Sequence, residues 1–187
     1  MVELRKLNWF GIASGVAAAV LLLLSIAYAA PWWQLSIAEG LGRVDVSPLD
    51  INAQFLGLDV EIPILWYLTL SGKLIMLAAI VALFACSAFP ENRYAKNLLG
   101  YGYKRPLIMV VVLVVILIIL TALVGLILPI KVPFLGGQTT TLTFDGANVS
   151  VPISASFTWV FWLAVATAAL ALLARVYHRR IASLAKA

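Results

Sequence analysis

The stretch AAPWWQLSIAEG, residues 29–40, separates two kinds of sequence and decides how the fold is read. About twenty apolar residues precede it, and charged residues, prolines and alternating polar and apolar residues follow it. Residues 27–29 have the small-x-small pattern of a signal-peptide cleavage site, behind a basic N-terminus. The apolar run is longer than the core of a typical signal peptide. We therefore interpret it as a first membrane helix that is retained.

The end of this helix carries its own signals. Pro31 cannot continue a helix, because it lacks the backbone N–H and clashes with the preceding turn. Trp32 and Trp33 follow directly. Since tryptophan is enriched at membrane–water interfaces, we expect both rings to anchor the outer end of the helix there.

The composition places the chain among integral membrane proteins. Of its 187 residues, 64% are hydrophobic and only 11% are charged, whereas soluble domains have roughly half apolar and a quarter charged residues. The single cysteine, Cys86, excludes an internal disulfide and a cysteine-based metal cluster. The single histidine, His178, restricts metal chemistry further. We expect neither a metal nor a cofactor.

Four segments are long enough and apolar enough to cross a bilayer as helices, which takes about 20 residues each. They are residues 9–30, 64–89, 107–128 and 157–176. The predicted fold is a four-transmembrane-helix bundle, one all-α membrane domain over residues 1–187, with a small extracytoplasmic antiparallel β-sheet. The connecting segments are residues 31–63, 90–106 and 129–156, followed by a tail at 177–187.

The distribution of charge predicts the orientation. The N-terminal segment, the 90–106 loop and the C-terminal end from Arg175 onward together carry ten Lys and Arg residues and two acidic residues. The 31–63 and 129–156 loops carry two basic and six acidic residues. Because basic loops stay in the cytoplasm, we expect both termini there and the two acidic loops outside a plasma membrane.

The first outer loop predicts strands. Apolar and polar residues alternate over residues 44–62, and a period of two is typical of half-buried strands. In this pattern Leu49 belongs to a strand. Pro48, Pro133 and Pro152 are expected at strand ends or edges, because proline cannot donate to a ladder.

The second outer loop predicts a β-hairpin. Asp145-Gly146 lies between two alternating runs, which indicates a two-residue type I′ turn. This turn sets a register in which Leu142 lies opposite Val149, and we expect the apolar face to pack on strands of the first loop. A glycosylation sequon begins at Asn148, and its occupancy stays open. The predicted apolar face consists of Leu142, Phe144, Ala147, Val149 and Val151.

At this point the chain resembles the claudin-like tetraspan group. The segment APWWQLS is similar to the Pro-x-Trp end of the first helix in that group, with Pro31 and Trp33 in the matching places. The resemblance implies four helices, a longer first outer loop of strands and a shorter second loop that adds a strand or hairpin. It carries over no junction-forming residues, because the Gly-Leu-Trp sequence and the cysteine pair of the first loop are absent.

Small residues at a spacing of four predict close helix packing. Gly11, Gly15 and Ala19 follow one face of the first helix, and Ala164 and Ala168 follow one face of the fourth. Small side chains let membrane helices approach closely. We expect these faces to pack on each other or on a partner, with packing inside the chain favoured.

Lys73 is the ionisable residue well inside a predicted span. Buried charges in membranes are costly and often functional. Two interpretations stay open. Lys73 extends toward the outer interface or pairs locally with Asp59 or Glu61, which we favour. Alternatively, it binds an anionic or quinone-like ligand, a lipid phosphate or a partner's carboxylate.

No arrangement of catalytic groups is recognisable in the sequence. We therefore predict a non-catalytic integral membrane assembly protein, which is an accessory subunit, scaffold or surface-contact component. It would act through its outer sheet and apolar helix faces. Its expected partners are membrane lipids and other membrane subunits or its own copies, and not nucleic acid. The alternative is a small channel, transporter or quinone- or lipid-binding subunit that uses Lys73.

Overall fold

Four helices form the larger part of the structure, a computed structural model that describes residues 8–89, 94–127, 132–144 and 147–184. All four are long and apolar enough to cross a membrane. Each helix packs on two neighbours, in the cyclic order α1, α2, α3, α4. The helices are α1 (Trp9–Tyr28), α2 (Pro63–Ala88), α3 (Ala95–Ile127) and α4 (Trp159–Leu184).

In the described residues, six strands form one antiparallel sheet with the order β4-β3-β2-β1-β6-β5. The first four strands lie between α1 and α2 in the chain, and the last two lie between α3 and α4. The predicted combination of four helices and an antiparallel sheet is thus confirmed. The strands are β1 (Trp33–Ile37), β2 (Gly42–Val46), β3 (Ile51–Phe55), β4 (Leu58–Asp59), β5 (Gly136–Phe144) and β6 (Ala147–Phe157).

Both ends of α1 are capped. The Asn8 side chain accepts a hydrogen bond from the Gly11 N–H at 3.2 Å, which satisfies one free donor of the first turn. At the other end Ala29 adopts the left-handed conformation, with φ 46°, and its N–H bonds back to the last turn. Ala18 and Leu21 of α1 are buried in the main core. The first helix is therefore an integral part of the bundle.

The two tryptophans after α1 lie in the protein core, so their expected role as exposed interface anchors is wrong. Trp32 is 1% exposed, and Trp33 is also buried. The Trp33 Nε1 donates to the carbonyl oxygen of Phe134 at 3.0 Å, which ties β1 to the segment before β5. Because β1 begins at Trp33, the chain turns back over the end of the bundle and buries both rings.

Two predicted connections are largely helical. α3 begins at Ala95, so most of the predicted 90–106 loop continues the third helix, and α4 extends through the predicted tail to Leu184. Pro106 lies inside α3. Leu99 and Tyr103 are buried beside the bundle. Tertiary packing thus outweighs the polar, Gly-containing character that predicts a loop.

The sheet has one apolar and one polar face. Leu35 of β1 and Ile153 and Ala155 of β6 are buried in the main core or beneath the sheet. The alternate residues of β6, Ser154 and Ser156, are exposed. The inner face of the sheet therefore packs on the bundle.

The prolines occupy two of the expected positions and one unexpected position. Pro133 precedes β5, and Pro48 lies between β2 and β3. Pro152 lies inside β6 and not at a strand end, in a strand that is paired on one side only at this residue. Its pairing explains why it is tolerated: β1 pairs with β6 only from Ile153 onward, so among the described residues β6 has no strand partner on that side at residue 152.

Candidate functional site

A compact turn of residues Ser47 to Asp50 joins β2 to β3, and we call it the inner turn. Ser47 is buried, and its hydroxyl oxygen accepts hydrogen bonds from the N–H groups of Leu49, at 3.3 Å, and Asp50, at 2.8 Å. The Ser47 N–H donates to the Asp50 carbonyl oxygen at 2.8 Å. Serine followed by proline is a favoured start for such a turn. Leu49, predicted on a strand, lies in this turn instead.

The inner turn inserts into the end of the helix bundle. Leu49 is completely buried, and the Ser25 hydroxyl on α1 donates to its carbonyl oxygen at 3.3 Å. On α2, the backbone of Pro48 approaches Gly72 so closely that a Cβ atom at residue 72 would overlap the Pro48 carbonyl oxygen. The inner turn therefore holds the sheet against α1 and α2.

Lys73 is paired across this junction. Its Nζ lies 4.0 Å from the Asp50 Oδ1, and both side chains are about a quarter exposed, at 27% and 25%. The sequence predicts a local pair with Asp59 or Glu61, and the partner in the structure is Asp50. The reason is the inner turn, which places Asp50 beside α2 next to Gly72.

An open groove of about 510 Å³ lies beside this pair, between β3, β4 and the first half of α2. Three carboxylates line it, those of Asp50, Asp59 and Glu61, together with the rings of Trp66 and Tyr67. The two rings meet edge to face, with centroids 5.0 Å apart. With three acids beside one paired lysine, the groove is electrostatically unfavourable for an anionic ligand. In the described part of the chain, no three His, Cys, Asp or Glu residues are placed to hold a metal.

A second turn, of two residues, joins β3 to β4, and we call it the outer turn. Phe55 pairs with Leu58, and Leu56 and Gly57 between them have φ values of 53° and 78°. Two positive φ values are typical of a type I′ turn, in which Asn-Gly or Asp-Gly is preferred. Leucine in this conformation costs roughly 1–2 kcal/mol, because its Cβ crowds the following carbonyl oxygen.

Exposed apolar side chains surround the outer turn. The Leu56 N–H donates to the Leu41 carbonyl oxygen at 2.6 Å, which brings the β1–β2 connection to the same end of the sheet. Leu56 is 63% exposed, and its three apolar neighbours are more than half exposed. We call this cluster the apolar corner. It consists of Leu41, Phe55, Leu56 and Leu58.

The outer turn is not among the turns predicted from the sequence. The segment FLGL, residues 55–58, contains the signal, since glycine follows leucine between alternating residues. Leucine is a poor turn residue, so this signal is weak. The inner turn had a clearer marker in the Ser47-Pro48 dipeptide.

The small residues of α1 pack differently from the prediction. A Cβ atom at Gly11 would overlap the Ser87 hydroxyl, and one at Gly15 would lie 3.1 Å from the Phe84 ring. Ser87 and Phe84 belong to α2, so these glycines face α2 and the expected pairing with the small face of α4 is wrong for them. Ala19 is only half-buried.

The contact between α1 and α4 uses polar groups that the sequence analysis missed. The Ser14 hydroxyl donates to the Thr167 carbonyl oxygen at 3.2 Å, and the Asn8 amide donates to the Ala174 carbonyl oxygen at 2.8 Å. Ala164 and Ala168 of α4 are buried. Hydrogen bonds of this kind join helices where an apolar solvent offers no hydrophobic drive.

The β5–β6 hairpin has the register that the sequence predicts. Leu142 pairs with Val149, and Phe144 pairs with Ala147. Val149 is nearly half exposed, so the apolar face of the hairpin is not fully covered. β6 also lies beside β1 in one sheet, rather than packing face to face on the strands of the first loop. The turn residues Asp145 and Gly146, and the side chains of Leu142, Phe144 and Asn148, lie outside the described part of the structure.

Comparison with family models, with curated proteins and with solved structures gives no match for this chain. Its function is therefore inferred from its own residues.

Proposed function

We propose that this chain is a non-catalytic integral membrane assembly protein, in which the sheet binds other subunits or further copies of the chain. The four apolar helices would cross a plasma membrane with both termini in the cytoplasm. The sheet would then lie outside. The excess of basic residues in the terminal segments and in the 90–106 segment supports this orientation.

The observation that carries the proposal is Leu56. Its backbone has φ 53°, and its side chain is 63% exposed. In the isolated chain this leucine is unfavourable for two reasons. Asparagine would fit the backbone conformation of the turn better, and the apolar side chain faces outward. Burial of a leucine side chain contributes about 1.5–3 kcal/mol. A partner that covers the exposed part of Leu56 would therefore offset the strain of the turn.

The other members of the apolar corner also support a binding role for this surface. Leu41, Phe55 and Leu58 lie around Leu56 and are each more than half exposed. A compact apolar centre with polar residues around it is typical of a protein–protein contact. The polar surroundings here include Gln54 and Asp59, which are hydrogen-bonded to each other at 2.8 Å.

The alternative function, a channel, transporter or quinone- or lipid-binding subunit that uses Lys73, is less well supported. Lys73 already has a partner in Asp50, and the groove beside it carries three carboxylates.

The test is native mass spectrometry of the full chain, extracted gently from its source membranes. We expect a defined complex for the unaltered chain, and loss from it of the subunits bound at the apolar corner for Leu56→Asn. Leu56→Met serves as the matched control, because it keeps an apolar side chain in the same turn, and it should retain the complex. A monomeric unaltered chain without protein partners, or a complex unaffected by Leu56→Asn and Phe55→Ser, would overturn the proposal.

A further inference from the structure

The two edges of the sheet are built differently. At one edge lies β4, which has only two residues, Leu58 and Asp59. At the other edge lies β5, which has nine residues, Gly136–Phe144. Short edge strands and charged residues protect a sheet against pairing with another chain, whereas a long regular edge strand offers a row of free backbone groups. By these criteria β4 is protected and β5 is not.

Along its own nine residues, β5 has no bulge, no proline and no charged side chain, which are three of the usual protective features. Its register with β6 runs without interruption from the Gly136–Ala155 pair to the Phe144–Ala147 pair, so it contains no bulge. The segment GGQTTTLTF contains neither proline nor a charged residue. Within the described residues, β5 pairs with β6 alone, and its second edge has no strand beside it.

We propose that β5 pairs antiparallel with β5 of a second copy of this chain, which joins the two sheets into one continuous sheet. This inference rests on the proposed assembly function and names one partner for it. A two-fold axis through the contact makes it isologous, so that the same residues meet from both sides and the contact closes as a dimer.

The sequence of β5 is complementary to itself. In a pairing centred on Thr141, this residue lies opposite its own copy, and Thr139 lies opposite Thr143 of the second copy. Thr139 and Thr141 are exposed on the polar face of the sheet. Threonine pairs opposite each other across strands are favourable, because their hydroxyls can hydrogen-bond. Since no residue of β5 is charged, the pairing brings no like charges together.

Charge at the opposite edge favours β5 as the surface for a second copy. Asp59 lies on β4, and Asp50 and Glu61 line the groove beside it. A contact between two β4 edges would bring these acids against their own copies. A contact between two β5 edges would place eleven strand spacings between the two β4 strands, or about 50 Å at the usual spacing. That separation is several Debye lengths at physiological ionic strength, so repulsion is negligible.

The test is disulfide cross-linking of the full chain in membranes. Thr141→Cys is combined with Cys86→Ser, which removes the one native cysteine. Residues directly opposite in antiparallel strands have Cβ atoms close enough for a disulfide after small adjustments. We expect mild oxidation to give a product of twice the 20.2 kDa chain mass. Ser154→Cys in the same background is the matched control, because Ser154 is exposed on β6, away from the free edge, and it should give no cross-linked product.

A second pair of variants tests the equilibrium between the monomer and the proposed dimer. Thr141→Lys places two like charges opposite each other at the two-fold axis, and should shift the dimer to monomer in native mass spectrometry. Ser154→Lys adds the same charge to the same face without touching the edge, and should leave the dimer intact. Retention of the dimer in Thr141→Lys would overturn the inference.

The cross-linking outcomes separate this inference from the proposed function. Equal cross-linking of Thr141→Cys and Ser154→Cys, or none for either, would overturn the β5 contact. A product that joins Thr141→Cys only to a different protein would overturn the second copy as the partner, and would leave the assembly function standing. A monomer without any partner would overturn both.

Discussion

The inner and outer turns lie at the two ends of β3 and are built in opposite ways. In the inner turn, residues suited to turns are used: Ser47 bonds to two backbone N–H groups, and Pro48 follows it. The turn is buried against α1 and α2. In the outer turn, Leu56 has φ 53° and an exposed side chain.

The difference indicates which turn serves the fold and which serves binding. The inner turn follows the local rules, because the attachment of the sheet to the bundle depends on it. The outer turn breaks those rules at a place where it supports no core. Natural sequences depart from local preferences mainly at functional sites, where another interaction offsets the cost. Substitutions in the inner turn should therefore lower the free energy of unfolding, whereas replacement of Leu56 in the outer turn should raise it.

Gly72→Val should lower the free energy of unfolding most, because it removes the space in which the inner turn packs against α2. The added side chain would overlap the backbone of Pro48, which cannot move without withdrawing Leu49 from the core. Overpacking usually costs 1–3 kcal/mol, and a backbone obstacle places this variant at about 3 kcal/mol or more. Thermal unfolding in detergent and limited proteolysis of the sheet would measure it.

Gly125→Val is the matched control for that experiment. Gly125 also lies in an apolar helix, α3, and a Cβ atom there would meet nothing within 4 Å among the residues that the structure describes. We expect no loss of stability. Equal destabilisation by the two variants would mean that glycine stabilises the helices themselves, and that its role at residue 72 is not to make room for the inner turn.

Ser47→Ala should destabilise the chain by about 2 kcal/mol, because it leaves buried N–H groups without their acceptor. The affected groups are the N–H groups of Leu49 and Asp50. Ser154→Ala, at an exposed position on β6, should be neutral. Chemical unfolding of both variants in the same detergent would compare them. A neutral Ser47→Ala would contradict the role given to the serine.

The periodic parts of the fold are those that the sequence predicts best. Long apolar runs predicted the four helices, and the Asp145-Gly146 dipeptide predicted the register of the β5–β6 hairpin. These features are local, since each depends on residues close together in the chain. The ends of α3 and α4 were less predictable, because packing of residues such as Tyr103 extends the helices into polar sequence.

The candidate site was less predictable, because it depends on contacts between distant segments. The pairing of Lys73 with Asp50 requires the inner turn to reach α2, and no local pattern specifies this. Trp32 and Trp33 have the sequence signature of interface anchors, yet the turn of β1 over the bundle buries them. The outer turn was missed because leucine is an unfavourable residue at its position. That misfit is the feature from which its function is inferred.

Leu56→Asn should stabilise the isolated chain by about 1 kcal/mol, because asparagine tolerates the left-handed conformation. The same variant is expected to lose the subunits bound at the apolar corner, so the stability of the chain and its association at that corner should change in opposite directions. Thermal unfolding of the detergent-solubilised monomer would measure the first effect. Gly57→Ala is the control of opposite sign, since it puts a side chain at φ 78° and should destabilise. A less stable Leu56→Asn would mean that Leu56 supports the fold.

Lys73→Met should have the smallest effect, a loss of less than about 1 kcal/mol, because partly exposed ion pairs contribute little. Asp50→Asn should match it, and the double variant should be no worse than either single one, since both remove the same 4.0 Å pair. A double-mutant cycle of thermal unfolding measures this coupling. If Lys73→Met instead kept the fold and the complex but lost a bound small molecule, the lysine would be a ligand site. The difference between a structural inner turn and a binding outer turn would then no longer hold.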